Sequence, residues 1–232
     1  MDRMIILLCL GAQLVYGQSV AFSDPERPGF LKLHQSNGSI TVTGYSGKTV
    51  VIQEQPSHTH RTRTMPRINV NVEGNRMTLK AEPNASISIQ VPFQTSLELN
   101  DTNGSIHVEG VKGELDVQTT NGSISLRGVA GAVVANSHNG SINVTFDKVD
   151  ARRPMSFSSF NGKIDVVFPA DLKASLNVHV ERGSVRSDFD LLMRGGTAGK
   201  SFTATINGGG TEMQFKNYNG SVNIRKASAG NK

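Results

Sequence analysis

A chain of 232 residues that is 37% hydrophobic and 19% charged, with 24 glycines, carries enough apolar material to bury a core, which excludes a disordered polymer. Its formal charge of +5 is mild for this length, and no Lys/Arg stripe interleaved with aromatics occurs, so nucleic acid is not expected as a partner. The single cysteine, Cys9, excludes an intramolecular disulfide and a thiolate metal cluster.

Residues 1–17 read as a secretory signal peptide. Arg3 precedes an apolar run from Met4 to Val15, and Val15 and Gly17 are the small residues of a cleavage site before Gln18. The run is shorter than the ~20 residues a spanning helix needs, so the mature chain is expected to hold no transmembrane segment. Cys9 does not suit lipidation, because Leu8 stands where a small residue is needed and the apolar run continues beyond it. Export to the periplasm, the cell surface or the medium follows.

Residues 18–232 read as one domain whose N-terminal part, to about residue 100, is irregular. Asn37-Gly38-Ser39-Ile40 opens an alternating strand through Val42, and Gly44 to Thr49 forms a turn. Gln55 to Arg67 breaks alternation and reads as a loop. Ile68, Val70 and Val72 then face Met77 and Leu79 across Gly74-Asn75, a hairpin signature.

From there the chain repeats. Asn103-Gly104-Ser105-Ile106 recurs at Asn121-Gly122 and Asn139-Gly140 with a spacing of 18, and looser copies begin at Asn161-Gly162, Arg182 and Asn219-Gly220. Between corners apolar residues alternate, as in Ile106, Val108 and then Leu115, Val117, with Gly110-Val111-Lys112-Gly113 as the intervening turn. A single Asn-Gly marks an antiparallel hairpin equally well. The fixed period instead predicts an all-β parallel solenoid of about 18-residue coils, each stacked on its successor, with right-handed winding as the default hand. Glycine would take positive φ at the corner, and the asparagines would form an amide ladder. The 22-residue step from Asn139 to Asn161 places a loop at Asp147 to Pro154. Arg225-Lys226 and a small polar tail close the regular region, which spans about residues 101–226.

With the leader, the NGSI corners, Val91-Pro92-Phe93, Phe168-Pro169-Ala170 and Ile206-Asn207-Gly208-Gly209-Gly210, the stretch from about residue 30 to 226 resembles a bacterial family of unknown function named putative adhesin. The resemblance implies an exported β-helix protein with an adhesin-like role, and it supplies no catalytic or ligand residues.

Candidate chemistry is sparse. Gly44-Tyr45-Ser46-Gly47-Lys48-Thr49 ends like a phosphate-binding loop, but its glycines are too close and align with Gly110 and Gly113 as repeat turns. His58 and His60 form a pair without a third metal ligand. Glu109, Glu114, Asp116, Asp147, Asp150 and Asp165 are the carboxylates available for glycoside chemistry, and they fall on outward columns and turns. The serines repeat in a corner column and not in a nucleophile elbow. Asn-X-Ser/Thr acceptor patterns at Asn37, Asn84, Asn103, Asn121, Asn139, Asn143 and Asn219 mostly follow from the repeat itself.

No catalytic, cofactor or metal residue is therefore assigned. The expected function is that of a non-enzymatic, adhesin-like binding or structural protein of the cell envelope. Its partner would be an envelope polysaccharide or a surface protein, with Arg61, Arg63, Arg152 and Arg153 as contact residues. The alternatives are a carbohydrate-active β-helix enzyme and a self-assembling envelope scaffold.

Overall fold

The alternation of apolar residues becomes a two-sided wall around one core. Strand Ser96–Asn103 buries Leu97 and Leu99 and turns Glu98 and Asn100 outward, and strand Leu115–Asn121 does the same with Leu115 and Val117. A computed structural model describes residues 4–10, 13–55, 68–81, 84–150, 153–197 and 201–228. Among them there is no helix, and the strands form two sheets of eleven.

In spatial order the first sheet runs Met4–Leu10, Gln13–Ala21, Thr49–Gln55, Ser86–Pro92, Ile40–Tyr45, Ile106–Glu109, Ile124–Gly131, Ile142–Val149, Ile164–Phe168, Val222–Lys226, Val185–Ser187. The second runs Leu192–Thr197, Ser201–Ile206, Ala174–Arg182, Thr211–Asn219, Met155–Asn161, Val133–Asn139, Leu115–Asn121, Ser96–Asn103, Phe30–Asn37, Arg76–Lys80, Asn69–Glu73. Each coil contributes one strand to each sheet, joined at the Asn-Gly corner, and equivalent strands pair in parallel. Leu115 lies between Leu97 and Val133, and Ile124 between Ile106 and Ile142.

The order of coils departs from the expected stacking of each coil on its successor. From residue 96 to 168 the coils stack in chain order, but at both ends they interleave. Phe30–Asn37 lies between Arg76–Lys80 and Ser96–Asn103, and Thr211–Asn219 lies between Met155–Asn161 and Ala174–Arg182. At each end the chain passes to the outermost coil and adds antiparallel strands. Thr49–Gln55 pairs on Ser86–Pro92, Asn69–Glu73 on Arg76–Lys80, and Ser201–Ile206 on Ala174–Arg182. These antiparallel additions cover coil edges that would otherwise be open templates for pairing. The N-terminal part is thus irregular in chain order, while its coils keep the common register, with Ile40 beside Ile106.

The hairpin around Gly74 forms, with that glycine at φ +59°. The surplus after Asn139 falls in the later part of the expected loop from Asp147 to Pro154. Strand Ile142–Val149 runs on through Asp147 and buries Phe146, with Val149 paired to Gly131, while Ser156 pairs with Val134, so the extra residues lie between Val149 and Met155; the register shifts around Val129 cancel. Toward the C-terminal end the core widens into aromatics. Phe146 stacks on Phe168 and Phe157 on Phe215, both at 5.0 Å between centroids, and the two pairs meet edge to face.

Candidate functional site

The Asn-Gly corner is a ladder running through six successive coils. Asn103 donates from Nδ2 to Asn37 Oδ1 at 2.9 Å, Asn121 to Asn103 at 2.8 Å, Asn139 to Asn121 at 2.9 Å, Asn161 to Asn139 at 2.9 Å, and Asn219 to Asn161 at 2.8 Å. Beside it the backbone repeats the pattern. The N–H groups of Gly104, Gly122, Gly140 and Gly162 donate to the carbonyls of Asn121, Asn139, Asn161 and Asn219 in the next coil. Arg182 replaces asparagine in the outermost C-terminal coil, and the Gly220 N–H donates to its carbonyl.

The expected positive φ holds at the corner glycines Gly38 (+112°) and Gly220 (+139°), whereas Gly104, Gly122 and Gly140 lie outside the left-handed region. At those three what requires glycine is close approach, because a Cβ on any of them would strike the carbonyl oxygen of the corner glycine in the preceding coil. The coils are packed there backbone against backbone.

Inside the corner runs a second column. Gln35, Asp101, Thr119, Ser137, Ser159 and Asn217 occupy the inward position two residues before the corner asparagine or its equivalent, and all are buried. Thr119, Ser137 and Ser159 donate their hydroxyls to the carbonyls of Gly104, Gly122 and Gly140 at 3.0–3.2 Å, and Asn217 donates its amide to that of Gly162 at 2.8 Å. Gln35 donates to Ala85, the equivalent residue of the outermost N-terminal coil. Except at Asp101, this column staples each coil to the one before it and satisfies carbonyls that burial would otherwise leave unpaired.

The outer face of the second sheet is the surface the corner presents to solvent. A shallow groove of about 410 Å³ runs along it between His34 and Phe160. Its lining includes the amides of Asn100, Gln118 and Asn136 and the side chains of Thr102, Thr120 and His138.

The carboxylates considered for hydrolysis spread over both sheets and their turns. Glu114 is bridged by Arg153 at 3.0 Å, and Asp116 accepts from Gln118 at 3.1 Å. Asp165 is held between Lys163 and Arg225. Burial alone would raise its carboxyl, but hydrogen bonds from Lys163 and Arg225, with their charges, hold it below the usual carboxylate range. Gly44 packs against the Gly110 backbone as a stacked turn. The acceptor-pattern asparagines 37, 103, 121, 139 and 219 engage their amides in the ladder. Among the described residues no three His, Cys, Asp or Glu side chains gather as a metal site. His58, His60, Arg61, Arg63 and Arg152 lie outside the described residues.

The Toastrack DUF4097 family model matches residues 29–225. The chain belongs to that family. Among solved structures, one described as a putative cell adhesion protein from Clostridium sporogenes covers 92% of this chain and 100% of its own, at 13% identity and TM-score 0.50. A second, described as a putative adhesin from Bacteroides fragilis, covers 93% of this chain and 98% of its own, at 13% identity and TM-score 0.41. At that identity the first likeness speaks for the fold alone. No protein with a curated description matches the chain. Two residue sets are not singled out by the sequence. The inward polar column is visible there as an alternation ending in a polar residue (Leu115, Val117, Thr119), and His138, Phe160 and Tyr218 each immediately precede an Asn-Gly.

Proposed function

We propose that this member of the Toastrack DUF4097 family is a non-enzymatic, adhesin-like binding protein of the cell envelope, exported and wound as a right-handed solenoid of about 18-residue coils. The observation that carries the reading is the outer face of the second sheet, where stacked coils repeat polar side chains in register over a long, flat surface. Repetition of one small set of groups along a column suits contact with a polymer or a surface partner, whereas turnover requires several different groups converging on one reacting atom. The described cell adhesion protein of similar fold agrees with this. Arg153, with Arg61, Arg63 and Arg152, would add a salt-sensitive component to contact with an anionic polymer.

The test is glycan-array and pull-down binding of the purified mature chain, combined with a polysaccharide degradation screen. Binding without release of reducing ends or unsaturated sugars is expected. Release that disappears in an Asp116, Asp147, Asp150 or Asp165 variant would replace this reading with that of a β-helix enzyme. A second reading, end-to-end assembly, is favoured by Leu192 and Met193, which stand 64% and 40% exposed on the edge strand Leu192–Thr197. Sedimentation that shifts with concentration, and stops shifting in Leu192→Lys, would support it.

A further inference from the structure

The residue immediately before each corner asparagine, or its equivalent, points outward from the second sheet. In stacking order these residues are Ser36, Thr102, Thr120, His138, Phe160, Tyr218 and Glu181, and all are exposed. The column changes character once. His138 and Phe160 stack at 4.8 Å between centroids and 8° between planes, and Phe160 and Tyr218 at 4.6 Å and 3°. The Arg182 guanidinium lies 5.9 Å from the Tyr218 centroid and ends the stack on that side. On the other side the stack stops at His138, because the next two coils carry only Thr120 and Thr102. The result is a step in the surface, with the imidazole face as its wall, opening into the groove that Asn100, Gln118 and Asn136 also line.

We propose that this step is a carbohydrate subsite, in which one pyranose ring of a neutral glycan lies against the free face of His138 above Thr120 and hydrogen-bonds to Gln118 and Asn136. The proposal deepens the adhesin-like reading and rests on it. Shape and hydrogen bonding define the ligand class. The missing layer of the stack is one coil thick, about 4.8 Å, which admits a single flat ring and continues the spacing already set by Phe160 and Tyr218. The apolar C–H face of a pyranose complements the electron-rich face of an aromatic ring. The flanking side chains are amides, each both donor and acceptor, and so match hydroxyl groups, which are also both.

Charge narrows the class further. The groove is lined by no lysine or arginine and has the Asp101 carboxyl among its lining, so it holds no permanent cation to neutralise a phosphate backbone. It also crosses the five strands from Phe30–Asn37 to Met155–Asn161, a length of about 19 Å at the usual strand spacing. A glycan lying along the stack would meet an outward amide or hydroxyl at each coil, with the ring at His138 anchoring its register.

The test is calorimetric titration of the mature chain, residues 18–232, with cellohexaose, chitohexaose and laminarihexaose, and with oligo-deoxythymidine as an anionic comparison. One neutral hexasaccharide is expected to bind, and His138→Ala is expected to weaken it at least tenfold. Thr120→Phe, which extends the stack into the step, should abolish binding while leaving the thermal midpoint unchanged or raised. Arg186→Ala, on the opposite sheet, should leave binding unchanged. Binding that survives both His138→Ala and Thr120→Phe overturns the subsite and leaves the adhesin-like reading standing on another face. Tighter binding of the anionic probe overturns the ligand class. No binding of any hexasaccharide overturns the subsite, and the absence of any glycan-array or pull-down partner as well sinks both readings.

Discussion

The Asp101 carboxylate and the Gly38 carbonyl stand on the same side of Gly104, where a Cβ would strike both oxygens. In later coils this place holds a donor, the hydroxyl of Thr119, Ser137 or Ser159 or the amide of Asn217. An ionised carboxylate can only accept. Asp101 Oδ1 already accepts the Asn103 N–H at 3.1 Å, and Oδ2 is buried without a partner. Burial pushes the carboxyl up from its ordinary range, against the N–H groups of Asn103 and Thr102 and the charge of His34. A proton on Oδ2 would supply the donor the column lacks there.

Asp101→Asn should therefore stabilise the protein at neutral pH, by about 1 kcal/mol, since the amide keeps the acceptor and adds a permanent donor. The pH dependence has a definite sign. A carboxyl raised in the folded state contributes stability that is complete below its unfolded value near 4, and that is lost as pH rises through the folded value. The advantage of the variant over the parent should be smallest near pH 4 and grow toward pH 7, read as urea midpoints across that range. An advantage that is absent or constant with pH would remove the protonated donor from the column.

At the corner, Gly122→Val should cost about 1–3 kcal/mol, because the new side chain meets the Gly104 backbone, which cannot yield without parting two coils. Ser125→Thr, one strand position past the corner on the outward side, should stay within about 0.5 kcal/mol. Thermal unfolding compares the two directly. Equal shifts would mean that the corner backbones are not in the close contact described.

Much of this architecture is legible in the amino-acid sequence. The alternation through Leu115, Val117 and Ile124, Leu126 marks strands with one buried face, and the 18-residue recurrence of Asn-Gly marks parallel stacking. The interleaved ends are not legible, for a physical reason. Six units present the same Asn-Gly corner, so Asn37 pairs as well with Asn103 as Asn121 does, and local sequence carries no record of which neighbour is chosen. The outward aromatic stack is legible only in part, since His138, Phe160 and Tyr218 become one feature only when residues 161 and 219 are known to be in adjacent coils.

Processing supplies a further test. Strand Gln13–Ala21 pairs with Thr49–Gln55 through Gly17 to Ala21, opposite Gln53 to Thr49. Cleavage before Gln18 keeps four of those five pairings, so the coil stack should survive export. Expression in a Gram-negative host should yield a mature chain beginning at Gln18, read by N-terminal sequencing. A cytoplasmic chain that retains Met1 would remove the envelope reading.

The interleaved C-terminal end makes the most distinctive expectation. In a stack that followed chain order, ending the protein at Gly210 would remove one terminal coil and leave every earlier coil with its neighbours. Here Thr211–Asn219 lies between Met155–Asn161 and Ala174–Arg182, and Val222–Lys226 between Ile164–Phe168 and Val185–Ser187. Truncation would remove a middle layer. It would strip Phe157 of its stacked partner Phe215 and leave Ala174–Arg182 without its parallel neighbour. Residues 174–206 should then lose hydrogen-exchange protection, while residues 96–149 keep theirs, because the coils there pair only with one another and with residues 30–45 and 155–168. Phe215→Ala in the full chain should weaken the same region by roughly 3–5 kcal/mol without removing the strand. Protection of residues 174–206 that is unchanged in both variants would contradict the interleaving and restore a stack in chain order.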